Sequence, residues 1–136
     1  MGLIEWSDSL SVGIPSIDEQ HRELVAILNE LHEAMMERRG RDVLGGLFAR
    51  LIDYTKYHFS HEEELLERAQ YAEFTAHRTQ HVMLAEKVKQ LQAQFEAGKI
   101  TLGVEVMEFL RDWLRNHIAV SDKRYAGFLS GKSGVA

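Results

Sequence analysis

The sequence predicts an all-α protein: an up-down-up-down antiparallel four-helix bundle behind an irregular N-terminal arm. Three observations lead there. The one proline among 136 residues, Pro15, lies near the start, so the rest of the chain is free of the strongest helix breaker. Apolar residues recur at helical spacing in four stretches of about 20 residues, each about 30 Å long as a helix. The joins between these stretches are short, which favours antiparallel neighbours.

After the arm, Ser16 or Asp18 is placed to cap a first helix, where Leu24, Leu28, Leu31 and Met35 recur until Arg39-Gly40; its span is about 17 to 38. The second stripe runs through Leu44, Leu47, Phe48, Leu51, Ile52, Thr55, Phe59, Glu62, Leu65 and Leu66, a helix over about 42 to 67. Phe74, His77, His81, Leu84, Val88, Leu91 and Phe95 form the third, over about 72 to 97, closed by Gly98 where a helix-ending glycine belongs. Thr101 opens the fourth, with Val106, Leu110, Leu114 and His117; it spans about 101 to 121 and continues weakly to Tyr125. Neither a linker nor an internal repeat interrupts this order, so one domain over 1–136 is expected.

Composition narrows the function. Apolar residues are 45% and charged residues 27%, an ordinary globular balance. The net charge is −5, with the basic residues scattered among the acids, which leaves no footprint for nucleic acid. Without cysteine, disulfides, iron–sulfur clusters and thiol chemistry are excluded, and any metal must be held by nitrogen and oxygen. No export-signal pattern and no membrane-length apolar run is present, and Trp6 stands where a myristoylation motif needs Ser or Thr; a cytoplasmic protein is expected.

Histidine is the informative residue. His58 and Glu62 are i, i+4 on the second helix, and His77 and His81 are i, i+4 on the third, so each pair shares one face. His21 shares the apolar face of Leu24 and Leu28, and His117 that of Leu110 and Leu114. A lone inward histidine is ordinarily a satisfied core residue. Five of them on four helices, in a bundle otherwise lined with Leu, Ile, Val and Phe, would leave ring nitrogens unpaired at a few kcal/mol each. A metal pair on the bundle axis explains them together. His61 is turned about 60 to 100° from the ligand direction, toward solvent or an outer position, and His32 lies about 16 Å along the axis from His21, a structural residue.

With these residues in place, the chain resembles the hemerythrin family, in particular its single-domain bacterial members, the bacteriohemerythrins. The motifs are Trp6, Val12 to Ile14, Ile17 to His21, His58-Phe59-Ser60-His61-Glu62-Glu63, His77 with His81, and Trp113 to Ile118 followed by Asp122. The resemblance covers nearly the whole chain. It implies two iron ions with an oxo or hydroxo bridge: His77, His81 and His117 on one, His21 and His58 on the other, Glu62 and Asp122 bridging both. The second ion, with one ligand fewer, would keep an open position for molecular oxygen.

Asp122 rests on the resemblance alone. A step of five residues from His117 turns about 500°, which is about 140° off the ligand face of a regular helix. Helix four is therefore expected to widen into a π-type turn or fray near residues 118 to 122. An apolar pocket is required to exclude water, and Leu24, Phe59, Trp113 and Leu114 are placed to form it. The expected function is reversible oxygen binding by a monomer that is not an enzyme; the alternatives are an oxygen or redox sensor acting through a partner, and a di-iron enzyme acting on peroxide or nitric oxide.

Overall fold

The structure, a computed structural model, describes residues 3–99 and 103–130. A 3-10 turn at Asp8–Leu10 lies in the arm, followed by α1 (Pro15–Met36), α2 (Arg41–Arg68), α3 (Phe74–Glu96) and α4 (Val104–Asn116). From α4 the chain runs without a break through a π-helical segment, His117–Asp122, into α5 (Lys123–Ser130). These last three segments make one rod, the fourth of the bundle. The described residues contain no strand, and none of their helices is long and apolar enough to cross a membrane.

Packing follows the apolar stripes. α1 lies against α2 and α4, and α2 against α3. The main core gathers Leu24, Leu28, Leu31, Phe48, Leu51, Leu84, Val88, Leu110 and Ile118, and a second cluster of Val12, Ile14, Ile17, Leu66, Tyr71 and Tyr125 closes one end. That end carries the start of α1, the end of α2, the start of α3 and the end of the fourth rod, as antiparallel order requires.

Three details differ from the sequence reading. Neither Ser16 nor Asp18 caps α1: the helix begins at Pro15, with extended Ile14 before it and no side-chain cap. Proline's fixed φ starts the helix by itself. The Asp18 carboxylate turns back instead to the arm, accepting from the Val12 amide at 2.8 Å and the Ser11 hydroxyl at 2.6 Å. The arm is also tied at Ile4, whose N–H and C=O both pair with Asn29.

The fourth helix does not end at 121 but extends to Ser130, because the π segment leads directly into α5. Thr101, its expected first residue, lies outside the described residues. The third difference concerns helix ends. Gly98 closes α3 at φ +76, as expected, but α1 and α2 end in the same left-handed conformation at Arg38 (φ 57) and Gln70 (φ 56). At each of the three ends the next residue donates its N–H back five positions, as Arg39 to Ala34, Tyr71 to Leu66 and Lys99 to Gln94.

Candidate metal centre

The seven residues proposed from the sequence meet at the closed end of the bundle. His21, His58, Glu62, His77, His81, His117 and Asp122 are all buried, Glu62 and Asp122 completely. They fall into two groups with ligand atoms close enough for one ion each: Glu62 with His77, His81 and His117, and Glu62 and Asp122 with His21 and His58.

The two carboxylates stand between the groups. Glu62 turns Oε1 toward His77 Nε2 at 2.6 Å and His81 Nε2 at 3.0 Å, and Oε2 toward His58 Nε2 at 3.2 Å and His21 Nε2 at 3.7 Å. Asp122 places Oδ1 3.1 Å from both His77 Nε2 and His117 Nε2, and Oδ2 3.0 Å from His21 Nε2. Each carboxylate thus offers one oxygen to each group. Neighbouring ligand atoms of an octahedral ion with bonds near 2.1 Å lie about 3.0 Å apart, the spacing seen here.

Outer partners fix the proton positions. His58 Nδ1 donates to Gln20 Oε1 at 2.7 Å, His81 Nδ1 to Glu63 Oε2 at 2.8 Å, and His117 Nδ1 to Gln80 Oε1 at 3.0 Å. An oxygen that only accepts requires the proton on Nδ1, so each neutral ring aims an Nε2 lone pair inward. His81 Nε2 and His117 Nε2 then face each other at 3.1 Å. In the metal-free chain a proton on the raised His117 ring can bridge the two nitrogens, and it is this proton that a bound metal ion would replace. His58 Nε2, His21 Nε2 and both oxygens of Asp122 are buried with no hydrogen-bond partner. The donor set of five imidazoles and two carboxylates suits a first-row divalent ion, iron included.

Electrostatics carries the same imprint. Burial opposes charge on His21, His77 and His117, but Asp122 and Glu62 outweigh it and hold their pKa values at about 9. His58 is lowered, since burial exceeds the help it draws from Glu62. Glu62 is held well below the usual carboxylate range despite its burial, by the raised, protonated rings that face it, His117 foremost, then His21 and His77. Tyr125, pushed up by burial and by Glu62 and Asp122, keeps its proton and donates it to Glu62 Oε2 at 2.9 Å.

Asp122 reaches the cluster through the π segment. Its N–H to C=O reach of five residues sets residue 122 back over His117, and the Lys123 amide bonds Ile118 O across that same span.

The pocket residues also converge. Leu24, Phe59, Trp113 and Leu114 line a cavity of about 40 Å³ with Leu28, Leu84 and Leu110. That is room for about three atoms the size of a water oxygen. Its hydroxyl, on Thr55, is already spent on Leu51 O at 2.7 Å. Phe59 stacks on the His81 ring at 3.7 Å and Trp113 on His117 at 4.5 Å, so the cavity wall is also the wall of the histidine cluster.

His32 and His61 stay outside the cluster. His32 is half-buried on α1, and His61 sits half-buried with Nε2 3.4 Å from Ser16 Oγ. The sequence reading missed Gln20, Glu63, Gln80 and Tyr125. The first three each adjoin a ligand candidate in sequence, a signal that could have singled them out.

Comparison with known proteins agrees with the geometry. Residues 12–129 match the family model described as the hemerythrin HHE cation binding domain. The chain is 38% identical over 126 residues to a bacteriohemerythrin of Stenotrophomonas maltophilia, covering 93% of this chain and 81% of that one. It is 34% identical over 131 residues to a bacteriohemerythrin of Methylococcus capsulatus, covering 96% and 99%. Among solved structures, wild-type hemerythrin superimposes with a TM-score of 0.89 at 33% identity, covering 94% of this chain and 98% of that one. A single-site variant of hemerythrin gives 0.90, also at 33% identity, covering 96% and 99%.

Proposed function

The chain belongs to the hemerythrin family, and we propose that it binds molecular oxygen reversibly at two non-haem iron ions, as a carrier, store or supplier. The observation that carries this reading is the pair of buried ligand groups, each with its inward Nε2 atoms, beside two carboxylates that each face both histidine groups. His77, His81 and His117 would hold one ion and His21 and His58 the other, with Glu62 and Asp122 bridging. Bound in the ferrous state, the ions supply the electrons through which oxygen is held.

The remaining work falls to the protein. Glu62 and Asp122 fix the separation of the two positions, and the group with two histidines offers one ligand fewer, which leaves room for an incoming molecule. Gln20, Glu63 and Gln80 lock three imidazoles in the tautomer that binds metal. Tyr125 keeps Glu62 oriented without giving up its proton. The apolar cavity admits a small neutral molecule and disfavours water, whose hydrogen bonds its walls cannot match.

The test is anaerobic loading with Fe(II) followed by visible spectra through cycles of oxygen and vacuum. An absorption band that appears with oxygen and is lost under vacuum over many cycles supports carriage; one-way oxidation on first exposure overturns it.

A further inference from the structure

The π segment is the least ordinary piece of backbone among the described residues, and something must hold it. Such turns are rare, and a regular helix is the competing state at the same sequence. Its first residue, His117, and its fifth, Ser121, converge on one atom. Gln80 Oε1 accepts from His117 Nδ1 at 3.0 Å and from Ser121 Oγ at 2.7 Å. Gln80 sits on α3 one residue before His81 and three after His77, turned off the ligand face by about 100° from His81 and so toward the fourth rod. Ser121 in turn precedes Asp122, the carboxylate that the π turn delivers.

Resting on the di-iron reading above, we propose that Gln80 is the positioning residue of the π turn: one carboxamide oxygen fixes the His117 ring and pins Ser121, so that His117 and Asp122 reach the metals together. The tie crosses from α3 to the fourth rod and couples two ligands on separate turns through a side chain that touches neither metal. It faces an outer groove that Gln80, His117 and Ser121 line with Met83, Trp113 and Val120, so without it solvent gains access to the outer nitrogen of His117.

The experiment compares the iron-loaded protein with Gln80→Leu, Gln80→Glu and Ser121→Ala, reading iron retention against a competing chelator and the reduction potential of the centre. Outer partners of metal ligands are worth about 10- to 100-fold in affinity. Gln80→Leu is expected to weaken retention by that factor, and Ser121→Ala by less. Gln80→Glu keeps the oxygen that accepts from both His117 and Ser121, so it should retain two irons and shift the potential to more negative values, because a carboxylate makes His117 a stronger donor. A purely structural role would leave the potential of Gln80→Glu unmoved, and that result overturns the proposal. So does wild-type retention in Gln80→Leu. If Gln80→Leu does not fold, unchanged retention in Ser121→Ala overturns it instead. A wild-type chain that fails to hold two irons defeats the di-iron reading itself; a wild-type chain that holds them beside unaffected variants defeats only the role of Gln80.

Discussion

Metal-free protein should lose stability as the pH climbs from about 6.5 to about 9, and bound metal should abolish that loss. In the folded metal-free chain, burial opposes the charge on His21, His77 and His117, yet Asp122 and Glu62 raise each from 6.5 to about 9. A group raised by folding adds stability that is complete below its unfolded pKa and gone above its folded one. A rise from 6.5 to about 9 is worth about 3 kcal/mol for one histidine. All three lean on the same two carboxylates, so their contributions overlap, and about 3 to 6 kcal/mol is the expected total. That is a large share of the 5 to 15 kcal/mol typical of a domain, roughly. His58 is lowered and titrates below this window. Metal must displace the same protons, so loading at pH 7 should release about three and tighten as the pH rises.

The assay is the urea midpoint of chelator-treated protein at pH 6, 7, 8 and 9, in parallel with loaded protein. Calorimetry of loading in buffers of different ionisation enthalpy counts the protons. A midpoint that stays flat or rises over this range, or a binding heat independent of buffer, would refute the charge balance drawn for the cluster.

Three further outcomes are expected. Glu62→Gln replaces one of the two carboxylate oxygens with an amide nitrogen that has no lone pair to offer a metal, and iron per chain after desalting should fall from two to one or fewer; two retained irons would contradict the bridging role. Leu28→Phe fills the apolar cavity of about 40 Å³, and stopped-flow oxygen association should slow at least about tenfold while stability changes by no more than about 1 to 3 kcal/mol. An unchanged rate would mean that oxygen arrives by another route. Asp18→Ala removes a buried charged acceptor of two hydrogen bonds, so urea denaturation should show a loss of about 2 to 3 kcal/mol, with faster amide exchange at Val12 and iron content unchanged.

Most of the fold and most of the site are visible in apolar periodicity. His21, His58, Glu62, His77, His81 and His117 stand on the core faces that helical spacing assigns, and all are buried in one cluster. Asp122 is different in kind. Regular helical geometry turns it away, and only the widened π turn, anticipated from the resemblance over residues 118 to 122 and found at His117–Asp122, brings it in.

Other features escape a one-chain reading for physical reasons. Helix ends at Arg38 and Gln70 use the left-handed region without glycine, at a cost of about 1 to 2 kcal/mol each that flanking hydrogen bonds offset. Asp18 reads as a helix cap because its partners in the arm are set by chain path, not by spacing. Gln20, Glu63 and Gln80 occupy flank positions where polar residues are ordinary, and which ring nitrogen each one meets depends on how neighbouring helices are rotated.

The proposed function requires two ions between these seven residues. Crystals of the iron-loaded protein, measured at the iron absorption edge, test it directly through the anomalous difference map. Two peaks less than about 4 Å apart are predicted, one beside His77, His81 and His117 and one beside His21 and His58, with Glu62 and Asp122 touching both. A single peak, or two peaks that do not share the carboxylates, would contradict it.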